Sequence, residues 1–272
     1  MTRVALVTGS TDGIGRQTAY ELAARGFRVI VHGRNRPKVD RALAELRAQL
    51  PQAEFEGVAF DLGVLASVRR GAEALLALAP QLHVLVNNAG IFANERVVTA
   101  DGIEATLAVN FVGPFLLTHL VTPRLIASAS AMPSRVINVS SIAHTRGKIQ
   151  MGNFQLERDW TGYAAYAQSK LANVMHAIGI AARNDPAQLV AYSLHPGVIA
   201  TKLLRLGFGP VRADSVEAGA QTSVMLASEQ VIAAGSGSYF SAGVAIAPAP
   251  AANDEMMLNW LWNAAEALTT PR

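Results

Sequence analysis

A chain of 272 residues with 51% hydrophobic side chains and no cysteine is long enough for one sizeable α/β domain. The missing thiols exclude disulfides, thiolate nucleophiles and cysteine-ligated metal centres. The net charge of +3 comes from interspersed charges of both signs, without the lysine–arginine block that marks a nucleic-acid partner.

Met1-Thr2-Arg3 runs straight into an apolar strand over residues 4–7, leaving no room for a secretory leader, so a cytoplasmic location is expected. The strand ends in Thr8-Gly9-Ser10-Thr11-Asp12-Gly13-Ile14-Gly15, and residues 16–25 read as an amphipathic helix closed by Gly26. Strand, glycine turn and helix in that order form an anion site, because amides at a helix N-terminus point outward and glycines admit a phosphate closely. The spacing Gly-x-x-x-Gly-x-Gly differs from the dinucleotide fingerprint Gly-x-Gly-x-x-Gly. Spacing alone therefore leaves a purely structural turn open.

A second strand, 27–31, leads into His32-Gly33-Arg34. At this place in a dinucleotide fold an acidic side chain would take a free ribose 2′-hydroxyl; Arg34 instead suits a 2′-phosphate, or is an ordinary solvated charge. A helix over 37–50, a strand over 55–60 ending at Asp61, a helix over 64–79 and a strand over 82–86 ending in Asn87-Asn88-Ala89-Gly90 follow. This alternation predicts right-handed crossovers and a parallel sheet with ligands at the carboxyl ends of its strands. Gly9, Arg34, Asp61 and Asn88 all fall at such ends.

Residues 103–131 read as helix, with a kink or irregular turn expected at Gly113-Pro114. Asn110 lies just before it, and a buried asparagine needs partners, either as a structural tie or as a polar member of a site. A strand over 135–139 delivers Ser141, and a helix over 162–183 carries Tyr166 and Lys170. Four residues apart, these two share a helix face, and a nearby cation favours the phenolate of a phenol whose ordinary pKa is about 10. A serine hydroxyl within reach would orient a substrate oxygen and stabilise charge developing on it. Tyr163 has Ala167 four positions on and so lacks the cation, while His195, ending a strand over 189–194, has no carboxylate spaced to orient it and reads as a strand-end residue.

The Gly-rich apolar stretch 198–214 is expected to act as a lid over a ligand. A helix over 216–227, a short strand over 238–241 and a terminal helix over 254–267, whose Met and Trp side chains read as packing, complete the chain. Neither uncharged run, 105–123 or 230–253, reads as a membrane span, because Asn, His, Gly and Pro interrupt them. The expectation is one doubly wound α/β domain over 1–272, with a parallel sheet of about seven strands between helices and no metal site.

Thr8-Gly9-x-x-x-Gly13-Ile14-Gly15, Asp61-Leu62, Asn87-Asn88-Ala89-Gly90, Asn110, Ser141, Tyr166-x-x-x-Lys170 and Pro196-Gly197 occur in the order and at the separations of the short-chain dehydrogenase/reductase family. The chain resembles that family over nearly its whole length. The resemblance resolves the glycine spacing, since the family uses this variant, and implies a Rossmann-type NAD(P) site. By it, Ser141 holds the substrate oxygen, Tyr166 is proton donor or acceptor, Lys170 binds the nicotinamide ribose and lowers the tyrosine pKa, and Asn110 supports a proton relay through a water. It further assigns Gly9, Thr11, Asp12, Gly13, Ile14 and Gly15 to the cofactor, with Asp61 and Leu62 at the adenine and Asn88, Ala89 and Gly90 on the adenosine side. Pro196, Val198 and Thr201 fall at the nicotinamide, and Arg34 stands where NADP-preferring members carry a base, which favours NADP and leaves NAD usable.

Ser140-Ser141-Ile142-Ala143-His144, Ser169-Lys170-Leu171-Ala172-Asn173 and His195-Pro196-Gly197 resemble the retinol dehydrogenase and WW-domain oxidoreductase branch. The apolar anchor that starts its membrane-bound members is missing here, so a soluble form without membrane or nucleic-acid partners is expected. The implied activity is carbonyl reduction or alcohol oxidation on a small, apolar molecule in a pocket of Phe92, Ile142, His144, Ile149, Met151 and 203–208, Leu203 and Phe208 included. Family dimers form through the helices at 103–131 and 162–183, although monomers occur. A non-catalytic dinucleotide-binding scaffold and a carbon–carbon double-bond reductase are the alternatives; retention of Ser141, Tyr166, Lys170 and Asn110 argues against the first, and Ser141 against the second.

Overall fold

A computed structural model describes residues 2–208 and 212–271. In chain order the strands are β1 (Val4–Val7), β2 (Arg28–Gly33), β3 (Phe55–Ala59), β4 (Val84–Asn87), β5 (Ser134–Val139), β6 (Leu189–His195), β7 (Tyr239–Ser241) and β8 (Val244–Ile246). The helices are α1 (Gly13–Ala24), α2 (Arg36–Gln49), α3 (Leu65–Leu78), the short α4 (Ala105–Leu107), α5 (Gly113–Ser128), α6 (Gly162–Arg183), α7 (Lys202–Phe208), α8 (Val216–Ser228) and α9 (Glu255–Thr269).

All eight strands join one sheet in the order β3-β2-β1-β4-β5-β6-β7-β8, parallel except for β8, which runs antiparallel to β7. Val7 pairs with Val31 on one side and Val86 on the other. The strand order therefore reverses at β1, and the crevice outside the carboxyl ends of β1 and β4 is the place such sheets bind ligands. Alternate residues of β1 enter different cores: Ala5 and Val7 pack with Leu22 of α1 and Val224 of α8, while Val4 and Leu6 pack with Leu75 of α3 and Ile180 of α6. A strand covered on both faces reads as an uninterrupted apolar run, as Val4–Val7 does.

The sheet is one strand longer than expected. Residues Val244 to Ile246 are exposed at all three positions, so no burial pattern marks β8 in the sequence. α1 begins at Gly13 rather than 16, because the Asp12 carboxylate caps it by accepting from the Gly13 amide. The irregularity expected at Gly113-Pro114 is a π-helical turn over Ala108–Val112, immediately before α5. Proline cannot donate to a helical ladder, and the wide turn accommodates the break. Helix α9 lies over α5 and α6: Trp262 meets Phe115 edge-on at 5.0 Å, and the Arg183 guanidinium sits 4.0 Å from its ring centroid.

Candidate active site

The carboxyl ends of β1 to β6 open onto one cleft of about 1100 Å³. At the β1 end, Gly9 has φ +65°, and a Cβ there would stand 2.9 Å from the Ala89 Cα; both facts require glycine. The turn is held from beneath by His32, a residue the sequence reading passed over. The His32 Nδ1 accepts from the Gly9 amide at 3.0 Å, which leaves Nε2–H to donate to the Phe60 carbonyl at 3.0 Å. Burial pushes this imidazole down to about 4, consistent with a neutral ring using both nitrogens. Only a period-2 reading of β2, which turns His32 inward, could have singled it out.

Thr11 and Asp12 to Gly15 line the cleft from the same turn, Arg34 from the end of β2, Asp61 and Leu62 from β3, and Asn88, Ala89 and Gly90 from β4. Ser141 and Ile142 follow β5, Pro196, Val198 and Thr201 follow β6, and Leu203 belongs to α7. Asn88 anchors the β4 end, donating from Nδ2 to the Thr8 carbonyl at 2.8 Å.

Tyr166 and Lys170 face the cleft from α6, on the side of the sheet edge that carries the glycine turn. The Ser141 and Tyr166 hydroxyls are hydrogen-bonded. Lys170 Nζ donates to the Val139 carbonyl at 2.9 Å and lies 5.5 Å from the Tyr166 ring centroid. Ser140 Oγ ties the two elements together by donating to the Lys170 carbonyl at 2.7 Å. Burial pushes the Tyr166 phenol up to about 12, with the Ser141 hydrogen bond acting against it, and pushes the Lys170 ammonium down to about 8. In the protein alone, burial and the neighbouring Tyr163 raise the phenol, and what opposes them is the Ser141 hydrogen bond rather than the pull expected of Lys170.

Asn110 is buried in the π-helical turn and does not line the cleft. Its Oδ1 accepts from the Ile91 amide at 2.8 Å, and its Nδ2 donates to the Ile91 carbonyl and to Ser169 Oγ, both at 3.0 Å. The side chain thus ties the β4 loop to α6. His144 also departs from expectation. It is buried outside the cleft wall, with Nδ1 bonded to the Ser141 carbonyl at 2.8 Å and Nε2 accepting from the Ala249 amide at 3.1 Å.

Phe92 packs 5.6 Å from the Tyr166 ring, beneath Gly207, and supports the cleft rather than lining it. Ile149 is in the core. Residues 209–211 of the 198–214 stretch lie outside the described residues, as does the side chain of Phe208. The remainder of that stretch is more ordered than its composition predicts: it contains α7, and Ile199 bridges Asp214. Lys202 at the start of α7 pairs with Asp12 at 2.5 Å, across from the glycine turn. Further cations on the cleft that the sequence did not single out are Arg16, which pairs with Glu45, and Lys38, Arg146, Arg205 and Arg212.

The donor set fits a dinucleotide. The open first turn of α1 presents backbone amides, which suit a pyrophosphate. Arg34 and Lys38 offer positive charge at the β2 end of the cleft, and Lys170 spends one of its three donors on Val139. No cluster of three or more metal-ligating side chains exists among the described residues.

The family model described as short chain dehydrogenase matches residues 3–206. Human retinol dehydrogenase 12 is 38% identical over 270 residues, covering 96% of this chain and 84% of the relative. Among solved structures, an uncharacterised protein from Mycobacterium paratuberculosis superposes with a TM-score of 0.79 at 31% identity, covering 98% of this chain and 93% of that one. A gluconate 5-dehydrogenase from Burkholderia cenocepacia, in complex with NADP and tartrate, gives 0.68 at 26% identity, covering 88% and 92%.

Proposed function

The chain belongs to the short-chain dehydrogenase family and is a nicotinamide-dinucleotide-dependent oxidoreductase, and from that premise we propose that it interconverts a carbonyl and a primary or secondary alcohol, with NADP(H) preferred. The observation that carries this reading is the hydrogen-bonded Ser141–Tyr166 hydroxyl pair beside Lys170, facing the same cleft as the glycine turn. A substrate oxygen at that pair is held by the Ser141 hydroxyl, and Tyr166 gives it a proton in reduction or takes one in oxidation.

A dinucleotide, when bound, supplies or accepts the hydride. Lys170, in its charged form, favours the phenolate and has donors left for ribose hydroxyls. Arg34, with Lys38 beside it on the cleft wall, recognises a 2′-phosphate that NAD lacks. Residues 198–208 and 212–214 cover the cleft of this dinucleotide-binding domain as a lid, and Ile142, Tyr163, Leu203 and Leu204 give the substrate end an apolar wall.

The test is NADPH oxidation with ketones and aldehydes of graded size, in wild type and Tyr166→Phe. The variant should lose about 10²–10⁴ in kcat, the range of a removed general acid, with NADPH binding little changed. Turnover at the wild-type rate would reject Tyr166 as the proton donor. Failure of every carbonyl and alcohol tried, despite tight NADPH binding, would favour a non-catalytic dinucleotide-binding protein.

A further inference from the structure

Most arginines in this protein are held by a carboxylate or a backbone carbonyl. Among the described residues, six guanidinium groups have no such partner: Arg34, Arg41, Arg70, Arg146, Arg205 and Arg212. Four of these six line the cleft. Arg34 stands at the β2 end, where the proposed 2′-phosphate would account for it. Arg146, Arg205 and Arg212 are elsewhere on the cleft, and nothing in the dinucleotide reading uses them.

Their placement follows from two short helices. Ile142–Arg146 is a 3₁₀ helix, in which side chains three apart eclipse, so Arg146 stands in line with Ala143. Ala143 and Tyr166 share one small apolar cluster, and Leu203 of α7, two residues before Arg205, packs against it. The 142–146 wall and the α7 wall therefore meet at the Tyr166 cluster, and each contributes one exposed, unpaired arginine to the cleft. The same two segments also line the cleft with apolar Ile142, Leu203 and Leu204, beside the hydroxyl of Thr145.

Carboxylates on the cleft are elsewhere or engaged. Asp12 is paired with Lys202, Asp61 follows β3, and Glu217 sits in the first turn of α8. Neither 142–146 nor 202–205 contains an acid. A guanidinium fork matches a carboxylate or a phosphate, and lines of apolar side chain beside it match a hydrocarbon.

Resting on the carbonyl–alcohol reading, we propose that the substrate is amphiphilic: an apolar carbonyl or alcohol whose far end carries a carboxylate or phosphate, held by Arg146 and Arg205. The anion chooses the substrate, and Ser141 and Tyr166 act on its other end. Arg212, on the lid, adds positive potential to the same mouth.

The experiment compares medium-chain aldehydes identical except at the far end, which carries methyl, hydroxyl, trimethylammonium, carboxylate or phosphate. The carboxylate or the phosphate should exceed the methyl compound in kcat/KM by at least about tenfold, the value of one charge-assisted contact, and the gain should shrink with added salt. Whichever anion gains more identifies the headgroup. In the double variant Arg146→Gln, Arg205→Gln, the anionic-to-neutral ratio should fall towards one. Equal or better turnover of the neutral compound by wild type, or a ratio unmoved in the double variant, would overturn the inference and leave the reaction intact.

A second readout needs no turnover: calorimetric binding of a saturated carboxylate without a carbonyl to the protein–NADP⁺ complex. Binding that depends on the two arginines, with no aldehyde reduced, would sink the reaction and keep the anion site. Absence of binding in wild type would count against the anion site itself.

Discussion

The floor and the roof of the cleft are built by different physics. On the floor and in the layer directly beneath it, Thr8, Ser10, Asn138, Ser140, Ser169 and Lys170 are at most 3% exposed, and each is bonded to a neighbouring strand, loop or helix turn. The described part of the roof, 196–208 and 212–217, meets the rest of the protein through Leu203 on the Tyr166 cluster, Gly207 over Phe92 and the Lys202–Asp12 pair, with Ile199 bridging Asp214 within it. Leu206 there is 63% exposed. Proton transfer needs groups fixed to within a fraction of an ångström, whereas admitting and releasing a substrate needs a cover that opens at small cost. Substitutions on the floor should therefore cost far more than substitutions on the roof.

The largest effect is expected at Lys170. Lys170→Met keeps an unbranched stem one atom shorter and removes the ammonium, so the phenol at about 12 loses the nearby cation that would favour its ionised form. A fall in kcat of about 10²–10⁴ is expected, measured in steady state, with the fold intact by circular dichroism. A loss smaller than that of the roof variant described last would erase the contrast between the two regions.

A second floor prediction concerns acid. The folded pKa of His32 is about 4, while an unfolded histidine titrates near 6.5. Above that pH both states are neutral and the full stability is present. As pH falls from about 6.5 to about 4, the unfolded chain takes a proton that the folded chain refuses, so stability is lost over that window, on the order of 3 kcal/mol from this residue. His176, buried and pushed down to about 3, adds to the same slope. Urea unfolding between pH 7 and 4.5 should show the fall, and His32→Leu should be less stable at pH 7 but flatter with pH. A wild-type midpoint constant over that range would refute the assignment.

The two regions also differ in how far the sequence discloses them. Tyr166, Lys170, Ser141 and the glycine turn could be placed before any coordinates, because a strand of four apolar residues and a helix of known phase fix where their neighbours point. Several residues could not be placed in that way. His144 is three residues from Ser141 and looked like a pocket residue, but the 3₁₀ geometry sends it inward to Ala249, 105 positions away. Asn110 left two roles open, and only the π-helical turn, which no periodicity announces, shows what its amide holds. On the roof, the glycines make the stretch holding α7 read as coil, although Lys202 to Leu206 are all good helix formers and could have announced a helical turn.

Arg34 lies at the border of the two regions, exposed but on the cleft wall. Arg34→Ala should weaken NADPH by about tenfold or more, as expected for loss of a charge-assisted contact, while NADH is little affected. Fluorescence titration with both dinucleotides measures the ratio. An unchanged ratio would remove the reason for preferring NADP, and the Lys38→Ala variant would then show whether the second cation carries the recognition.

The smallest effect is expected on the roof, at Lys202. Its ammonium meets the Asp12 carboxylate at 2.5 Å, and this partner holds the carboxylate below its ordinary range. The two side chains are 77% and 59% exposed, so solvent screens the attraction and an exposed pair contributes little to stability. Its consequence is kinetic instead. The pair joins the start of α7 to the cap of α1, so it must break when the roof lifts. Lys202→Met should speed NADPH release by roughly two- to threefold at low ionic strength, the scale of an exposed ion pair, and the difference should vanish in high salt. Stopped-flow release of NADPH reads both. An order-of-magnitude acceleration would mean that the roof is held far more firmly than an exposed ion pair allows, and an unchanged rate would mean that the cofactor leaves by some motion other than the lifting of α7.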